Sequence, residues 1–301
     1  MMDFSDEYVI FCEKKKIQFP PQHQQCQPGI EAYMVPRPIS EDPNYKGSNK
    51  LLNKVAIITG GDSGIGRAVA YAFAKEGTDI VIVFYNEFID AEETKMRIEQ
   101  IGRRCILIAG DLKSDEFNKY VVEKTIGVFG GIDILMNNAA VQYPQKSIEN
   151  ISNEQLELTF RTNIFPLFYM TKAALPYMKP GSSIINTASI TAYKGFAELI
   201  DYSATKGAIV SFTRSLALSL VDRGIRVNAV APGAVWTPLI PSSFSPEEVE
   251  FFGNKKPNDS PMERAGQPYE LAPTYVYLAS NDSSYVTGAI LHVNGGAMVT
   301  T

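Results

Sequence analysis

From residue 53 onward the chain alternates between two kinds of segment, and this rhythm limits the possible folds more than any other feature. "KVAIITG" is a short apolar run ending on glycine, the pattern of a strand buried on both faces. "GIGRAVAYAFAKEG" follows with helical spacing and a terminal glycine. Further strands are expected at "DIVIVFY", "RCILIAGDL", "IDILMNNAA", "SSIINTAS", "IRVNAVAPG" and "AILHVNGG". Further helices are expected at "DAEETKMRIEQIG", "SDEFNKYVVEKTIGVFG", about 152–178, the segment holding Tyr202, and "PYELAPTYVYLAS". Seven strands alternating with six helices predict an α/β fold: a doubly wound parallel seven-stranded sheet, helices on both faces, in one domain over 51–301.

Two segments depart from the rhythm. Residues 1–50 are rich in proline and glutamine and show no period. Proline fixes φ and removes a backbone donor, so this is read as an extended N-terminal arm. Ile30, Tyr33, Met34 and Val35 are its candidates for lying against a folded surface, on its own domain or on a neighbouring subunit. Plain disorder is the competing expectation for about 1–20. The second departure, about 236–265, lies between a strand end and the next helix, where long insertions commonly form lids.

Composition removes several function classes. A net charge of −5 argues against general nucleic-acid affinity. No run of 18 apolar residues is present, so no transmembrane helix is indicated. Cys12, Cys26 and Cys105 are too few and too scattered for a disulfide framework, and the N-terminus lacks the layout of a secretory signal; a cytoplasmic protein is expected. His23 and His292 stand in different segments, and no metal site is expected.

"TGGDSGIG", residues 59–66, joins the first strand to the first helix. Gly60, Gly64 and Gly66 permit a tight turn and close approach of a pyrophosphate, and the helix N-terminus offers free N–H groups beside Asp62, Ser63 and Ile65. Later motifs follow in a telling order. "GDL" stands at 110–112, "NNAA" at 137–140, Asn163 within "RTNIF", Ser189 within "NTASI", "YSATK" from Tyr202 to Lys206, and "APG" at 231–233. Together they resemble the short-chain dehydrogenase/reductase family over about 53–297, with Ala140 where the family has glycine. The arm and the glycine loop further resemble its glucose/ribitol dehydrogenase-like or aldehyde-reducing stress-protein subgroup.

The resemblance implies a Rossmann-fold enzyme that transfers a hydride between NAD or NADP and an alcohol or carbonyl compound such as a sugar, polyol, aldehyde or ketone. It implies Asn163, Ser189, Tyr202 and Lys206 as the catalytic set, with Asn163 holding a water that relays protons to Lys206. Residue chemistry agrees. Tyr202 and Lys206, four apart, share a helix face, and an ammonium beside a phenol favours phenolate. Ser189, at a strand end, can polarise a substrate oxygen. Lys206 is also expected to hold the nicotinamide ribose.

For the cofactor, Asp111 and Leu112 are expected to flank adenine, Asn138 and Ala139 to pass beneath the cofactor, and Pro232, Gly233, Val235 and Thr237 to meet the nicotinamide. Tyr85 and Asn86 close the second strand, with Glu87 beyond. The acidic loop residue Asp62 and the lack of a nearby basic residue favour NAD over NADP; Arg67 is expected to face solvent or a neighbouring carboxylate. Gln142, Tyr143, Tyr193, Phe196 and Trp236 are the candidate substrate-pocket residues, with lid or core packing as the alternative for the aromatics. The resemblance also implies a homotetramer built through the helices at 152–178 and 202–221 and the last strand. The competing function is a non-catalytic nucleotide sensor on the same fold.

Overall fold

In the computed structural model, which describes residues 18–254 and 260–299, the apolar runs form the expected strands. These are β1 Val55–Thr59, β2 Asp79–Phe84, β3 Cys105–Ala109, β4 Ile134–Asn137, β5 Ser183–Thr187, β6 Arg226–Pro232 and β7 Ile290–Val293. All pairs are parallel, in the order β3-β2-β1-β4-β5-β6-β7. Every residue of β1, β2, β4 and β5 is buried, which explains why these strands read as unbroken apolar runs. Strand order reverses between β1 and β4, so a crevice opens at their carboxyl ends.

The helices cover both faces. On one, α1 (Gly64–Lys75), α2 (Phe88–Ile101) and α9 (Pro268–Ala279) pack Val69, Phe73, Ile98 and Leu271 against Ile58 and Ile80. On the other, α3 (Asp115–Phe129), α5 (Phe165–Ala174) and α7 (Ile200–Leu220) pack Val121, Met170 and Leu220 against Ile57 and Val81. The helix expected over 152–178 is interrupted: α4 covers Asn153–Asn163, α5 begins at Phe165, and a 3-10 turn spans Leu175–Tyr177. Pro166 has no N–H to continue the ladder and Ile164 is stretched to φ −117°, so the path breaks there. Two short helices, α6 (Thr191–Lys194) and α8 (Pro246–Glu250), were not evident in the periodicity.

From residue 18 the arm lies on its own domain. Phe19, Glu31 and Met34 are buried, the last as one of the four apolar candidates, whereas Tyr33 and Val35 do not lie against this domain and are exposed. The expectation for about 1–20 falls mostly outside the described residues. Ion pairs and capped turns fasten the arm. Glu41 meets Arg97 at 2.7 Å, and Glu76 at the end of α1 accepts from the N–H groups of Ser48 and Lys50 at 2.9 Å. No helix among the described residues is long and apolar enough to cross a membrane. Among them, no cluster of His, Cys, Asp or Glu could hold a metal ion.

Candidate active site

The crevice at the carboxyl ends of β1 and β4 opens into a cavity of about 710 Å³. Its first wall is the glycine loop. Gly60 and Gly64 take positive φ, +61° and +52°, values that side-chain-bearing residues rarely adopt. A Cβ on Gly60 would lie 3.2 Å from Ala139 Cα, so the loop and the segment after β4 sit in close apposition. Gly66, expected to face a pyrophosphate, instead turns inward: its Cβ would stand 1.9 Å from Gly60 O. Its lack of a side chain lets α1 start directly beneath the loop. Asp62, Ser63, Gly64 and Ile65 do line the cavity.

Past β2, Tyr85 and Glu87 face the cavity, whereas Asn86 does not. The Asn86 N–H is spent on the Glu87 carboxylate at 2.8 Å, which also accepts from the Tyr85 N–H at 3.0 Å. This tight carboxylate turn selects Glu87, one residue further than expected, as the side chain at the strand end. Burial and the neighbouring Glu87 push the Asp62 carboxyl up to about 8. Burial likewise raises Glu87, against the N–H groups of Asn86 and Tyr85 that pull it down. Beyond them, Asp111 and Leu112 form the far end of the crevice.

A polar floor crosses the strand ends. Asn138 donates through Nδ2 to the carbonyls of Thr59 at 3.2 Å and Gly60 at 3.1 Å, and its Oδ1 accepts from Thr187 Oγ1 at 3.1 Å. Thr187 Oγ1 also lies 2.9 Å from the Tyr275 hydroxyl. Ala139, Pro232, Gly233, Val235 and Thr237 complete the cavity beside this floor. A Cβ on Gly233 would approach Asn294 Cα to 2.7 Å, so this turn also requires glycine for close approach of backbones.

Ser189, Tyr202 and Lys206 meet at one side of the cavity. Ser189 hydrogen-bonds the Tyr202 phenol, and its Oγ is held by the N–H of Thr191 at 3.1 Å and by Thr191 Oγ1 at 3.0 Å. Asp201, buried beside Tyr202, accepts from the Tyr202 N–H at 2.8 Å, from Thr159 Oγ1 at 2.8 Å and from Gln155 Nε2 at 3.0 Å. It fixes the first turn of α7 against α4, a positioning role that sequence reasoning missed. Lys206 Nζ donates to Thr187 O at 2.8 Å and stands 5.3 Å from the Tyr202 ring centroid.

The crevice donors, the glycine cradle and this trio suit a nicotinamide dinucleotide. A family model described as Enoyl-(Acyl carrier protein) reductase matches residues 60–298. The chain belongs to the short-chain dehydrogenase/reductase family. It is 62% identical over 286 residues to the uncharacterized oxidoreductase YhxC of Bacillus subtilis, covering 95% of this chain and 98% of that protein. It is 53% identical over 285 residues to the NADPH-dependent aldehyde reductase 1, chloroplastic, of Arabidopsis thaliana, covering 92% and 98% respectively. Among solved structures, 3-ketoacyl-(acyl-carrier-protein) reductase from Brucella melitensis complexed with NADH aligns with TM-score 0.75 at 34% identity, over 83% of this chain and all of that one. The protein is an NAD(P)-dependent oxidoreductase of this family.

Several residue expectations for this dehydrogenase/reductase need correction. Asn163 does not line the cavity. Its side chain is committed to Val141, accepting from the N–H at 2.8 Å and donating to the carbonyl at 2.9 Å, with a further bond to Thr205 Oγ1. Trp236 is fully buried away from the cavity; it stacks on Phe19 at 3.8 Å and donates to Pro36 O at 2.9 Å. Tyr193 turns its ring edge-on to His292, with centroids 4.6 Å apart, and leaves the wall to Thr191 and Lys194. Gln142, Tyr143 and Phe196 do line the cavity, as do the lid residues Phe244, Phe251 and Phe252. Arg67 takes the carboxylate of its two expected surroundings: it is 2% exposed and paired at 2.7 Å with Glu31 of the arm.

The expected lowering of the Tyr202 phenol is also absent. Burial pushes it up to about 12, with only the Ser189 hydrogen bond acting downward. Burial pulls Lys206 down to about 7, so the neighbouring cation is itself easily discharged. Desolvation of both groups outweighs their attraction in this state.

Proposed function

We propose that the protein reduces an aldehyde or ketone, or oxidises the matching alcohol, with Tyr202 as the acid/base. The observation that carries this is the convergence of Ser189 and Lys206 on the Tyr202 phenol inside the crevice. In the reducing direction, the Ser189 hydroxyl donates to the carbonyl oxygen and polarises it. Tyr202, held as neutral phenol by burial, gives its proton to that oxygen as the carbon is reduced. Protonated Lys206 then stabilises the phenolate left behind. The nicotinamide, when bound, supplies or accepts the hydride.

The same reading assigns Asp62, Glu87, Asp111 and Leu112 to the adenosine end, and Asn138, Ala139, Pro232, Gly233, Val235 and Thr237 to the nicotinamide end, with Lys206 on its ribose. Asn163 holds Val141 through its side chain, and a water relay from it to Lys206 is its role in this reading. Glu87 at the end of β2 suits the two ribose hydroxyls, and an acidic side chain there opposes a 2′-phosphate. NAD is therefore the preferred cofactor. Exposed Leu156, Phe165 and Phe168 on α4 and α5, and Leu218 on α7, support assembly into a homotetramer through these helices. The free thiols of Cys26 and Cys105 suit a reducing cytoplasm.

The test pairs a competitive titration of NADH against NADPH with turnover of an aldehyde and ketone panel, for wild type and Tyr202→Phe. NADH should bind more tightly, and the variant should keep that binding while losing at least about 10³-fold in kcat. A variant near wild-type rate would show that Tyr202 is not the acid/base. Tight cofactor binding without turnover of any carbonyl by wild type would point to a sensor.

A further inference from the structure

The family match begins at residue 60, yet the cavity is not closed by residues after that point alone. Gln27, Pro28 and Gly29 of the arm line it as well. The Gln27 side chain grips both backbone polar groups of one residue in the segment after β4. Its Oε1 accepts from the Gln142 N–H at 3.1 Å, and its Nε2 donates to the Gln142 carbonyl. The preceding residue, Val141, is gripped in the same way by Asn163. Two successive residues of one cavity wall are thus each fixed by a side-chain amide, one from within the catalytic domain and one from the arm.

The arm is equally committed to the lid. His23 Nδ1 bonds Phe244 O at 2.9 Å, and the Gln24 N–H donates to Pro241 O at 2.7 Å. Gly29 is buried against the lid so closely that a Cβ there would stand 2.5 Å from Pro238 O. From the lid, Ser243 Oγ reaches the Gln142 carbonyl at 3.4 Å, the same oxygen that Gln27 holds. Arm, lid and the segment after β4 therefore converge at Gln142, where Phe244 and Phe252 face the cavity.

We propose that the arm segment at Gln27 is the outer wall of the substrate pocket, and that Gln27 determines how long a carbonyl substrate the enzyme accepts. The proposal rests on the reading that the protein turns over carbonyl compounds. A side chain that is fixed to the segment after β4 and faces the cavity limits what lies beyond the reacting carbon. Shortening it opens space, and enlarging it fills space, while the cofactor end of the crevice is untouched.

The experiment measures kcat/KM for straight-chain aldehydes from propanal to decanal with the full chain, in wild type, Gln27→Ala and Gln27→Phe. NADH affinity and melting temperature are recorded alongside. A pocket contact of one or two methylenes changes selectivity about tenfold or more. Gln27→Ala should therefore raise the long-to-short selectivity ratio at least about tenfold, chiefly through KM, and Gln27→Phe should lower it; NADH affinity should hold for both. A purely structural role would lower all substrates alike and leave the ratio fixed. A ratio within about twofold of wild type in whichever variant still binds NADH normally overturns the proposal. Failure of the underlying reading looks different: wild type would then turn over none of the aldehydes, and the Gln27 assignment would fall with it.

Discussion

Arg67 offers the sharpest test of how the arm is built into the enzyme. Its guanidinium donates to Glu31 at 2.7 Å, to Asp62 O at 2.9 Å and to Asp90 O at 2.9 Å, with Arg67 2% and Glu31 1% exposed. Glu31 in turn accepts from the Gly64 N–H at 2.6 Å, so one buried pair ties the arm to the glycine loop. Arg67→Met removes the cation and strands Glu31 and Asp90 in the interior. Breaking a buried pair in this way costs about 3–5 kcal/mol. An unfolding entropy of about 2.1 cal/mol/K per residue, over 301 residues, gives roughly 0.6 kcal/mol/K, so the melting temperature should fall by about 5–8 °C.

The pH dependence of that loss has a definite sign. Burial already raises Glu31 and Asp90 above ordinary carboxylates, and removing Arg67, which pulls both down, raises them further. A carboxyl raised in the folded state favours folding at low pH, and that contribution is lost as pH rises from the unfolded value through the folded one. The gap between variant and wild type should therefore be smaller near pH 5.5 than near pH 8. Glu31→Gln combined with Arg67→Met should recover part of the loss, because one stranded charge is gone. Calorimetric or circular-dichroism melts at the two pH values read all of this. A single variant that melts within about 2 °C of wild type at pH 8 would refute the argument that the pair holds the arm.

Gly66→Ala should abolish turnover or cut it on the order of 10²-fold, because its Cβ would fall 1.9 Å from Gly60 O and the whole loop must shift; steady-state kinetics with saturating NADH read it. Trp236→Ala should cost about 3–5 kcal/mol through loss of the Phe19 stack and the bond to Pro36 O, lowering the melting temperature while leaving the ranking of substrates unchanged. A changed ranking would restore Trp236 to the pocket.

The strands were legible because burial on both faces leaves an unmistakable trace. "KVAIITG" could hardly be anything but a central strand, and β1 is buried at every position. The Tyr202–Lys206 spacing was legible for a similar reason, since i,i+4 on a helix fixes a shared face whatever surrounds it. The break at Ile164 was visible in principle, because Pro166 stands two residues later, but the apolar run that follows masked it. Glu87 rather than Asn86 as the cavity residue was not readable, since it depends on a carboxylate folding back onto its own backbone. Nor was the raised Tyr202, because desolvation is set by everything packed around the phenol rather than by the lysine one turn away.

The arm marks the limit most clearly. Its prolines and glutamines carry no periodicity, so local pattern gave only an extended segment, and apolarity picked Ile30, Tyr33, Met34 and Val35, of which Met34 is buried and Tyr33 and Val35 are exposed. The other anchors are Glu31, bound to Arg67 and Gly64, Gln27, bound to Gln142, and Phe19, stacked on Trp236. Each partner lies at least 33 residues away. Polar side chains that bond distant backbone leave no trace at helix or strand spacing, because their register is set by the surface they meet. A segment without period can thus be as tightly specified as a strand. In this protein it joins the glycine loop, the segment after β4 and the lid, three walls of one cavity.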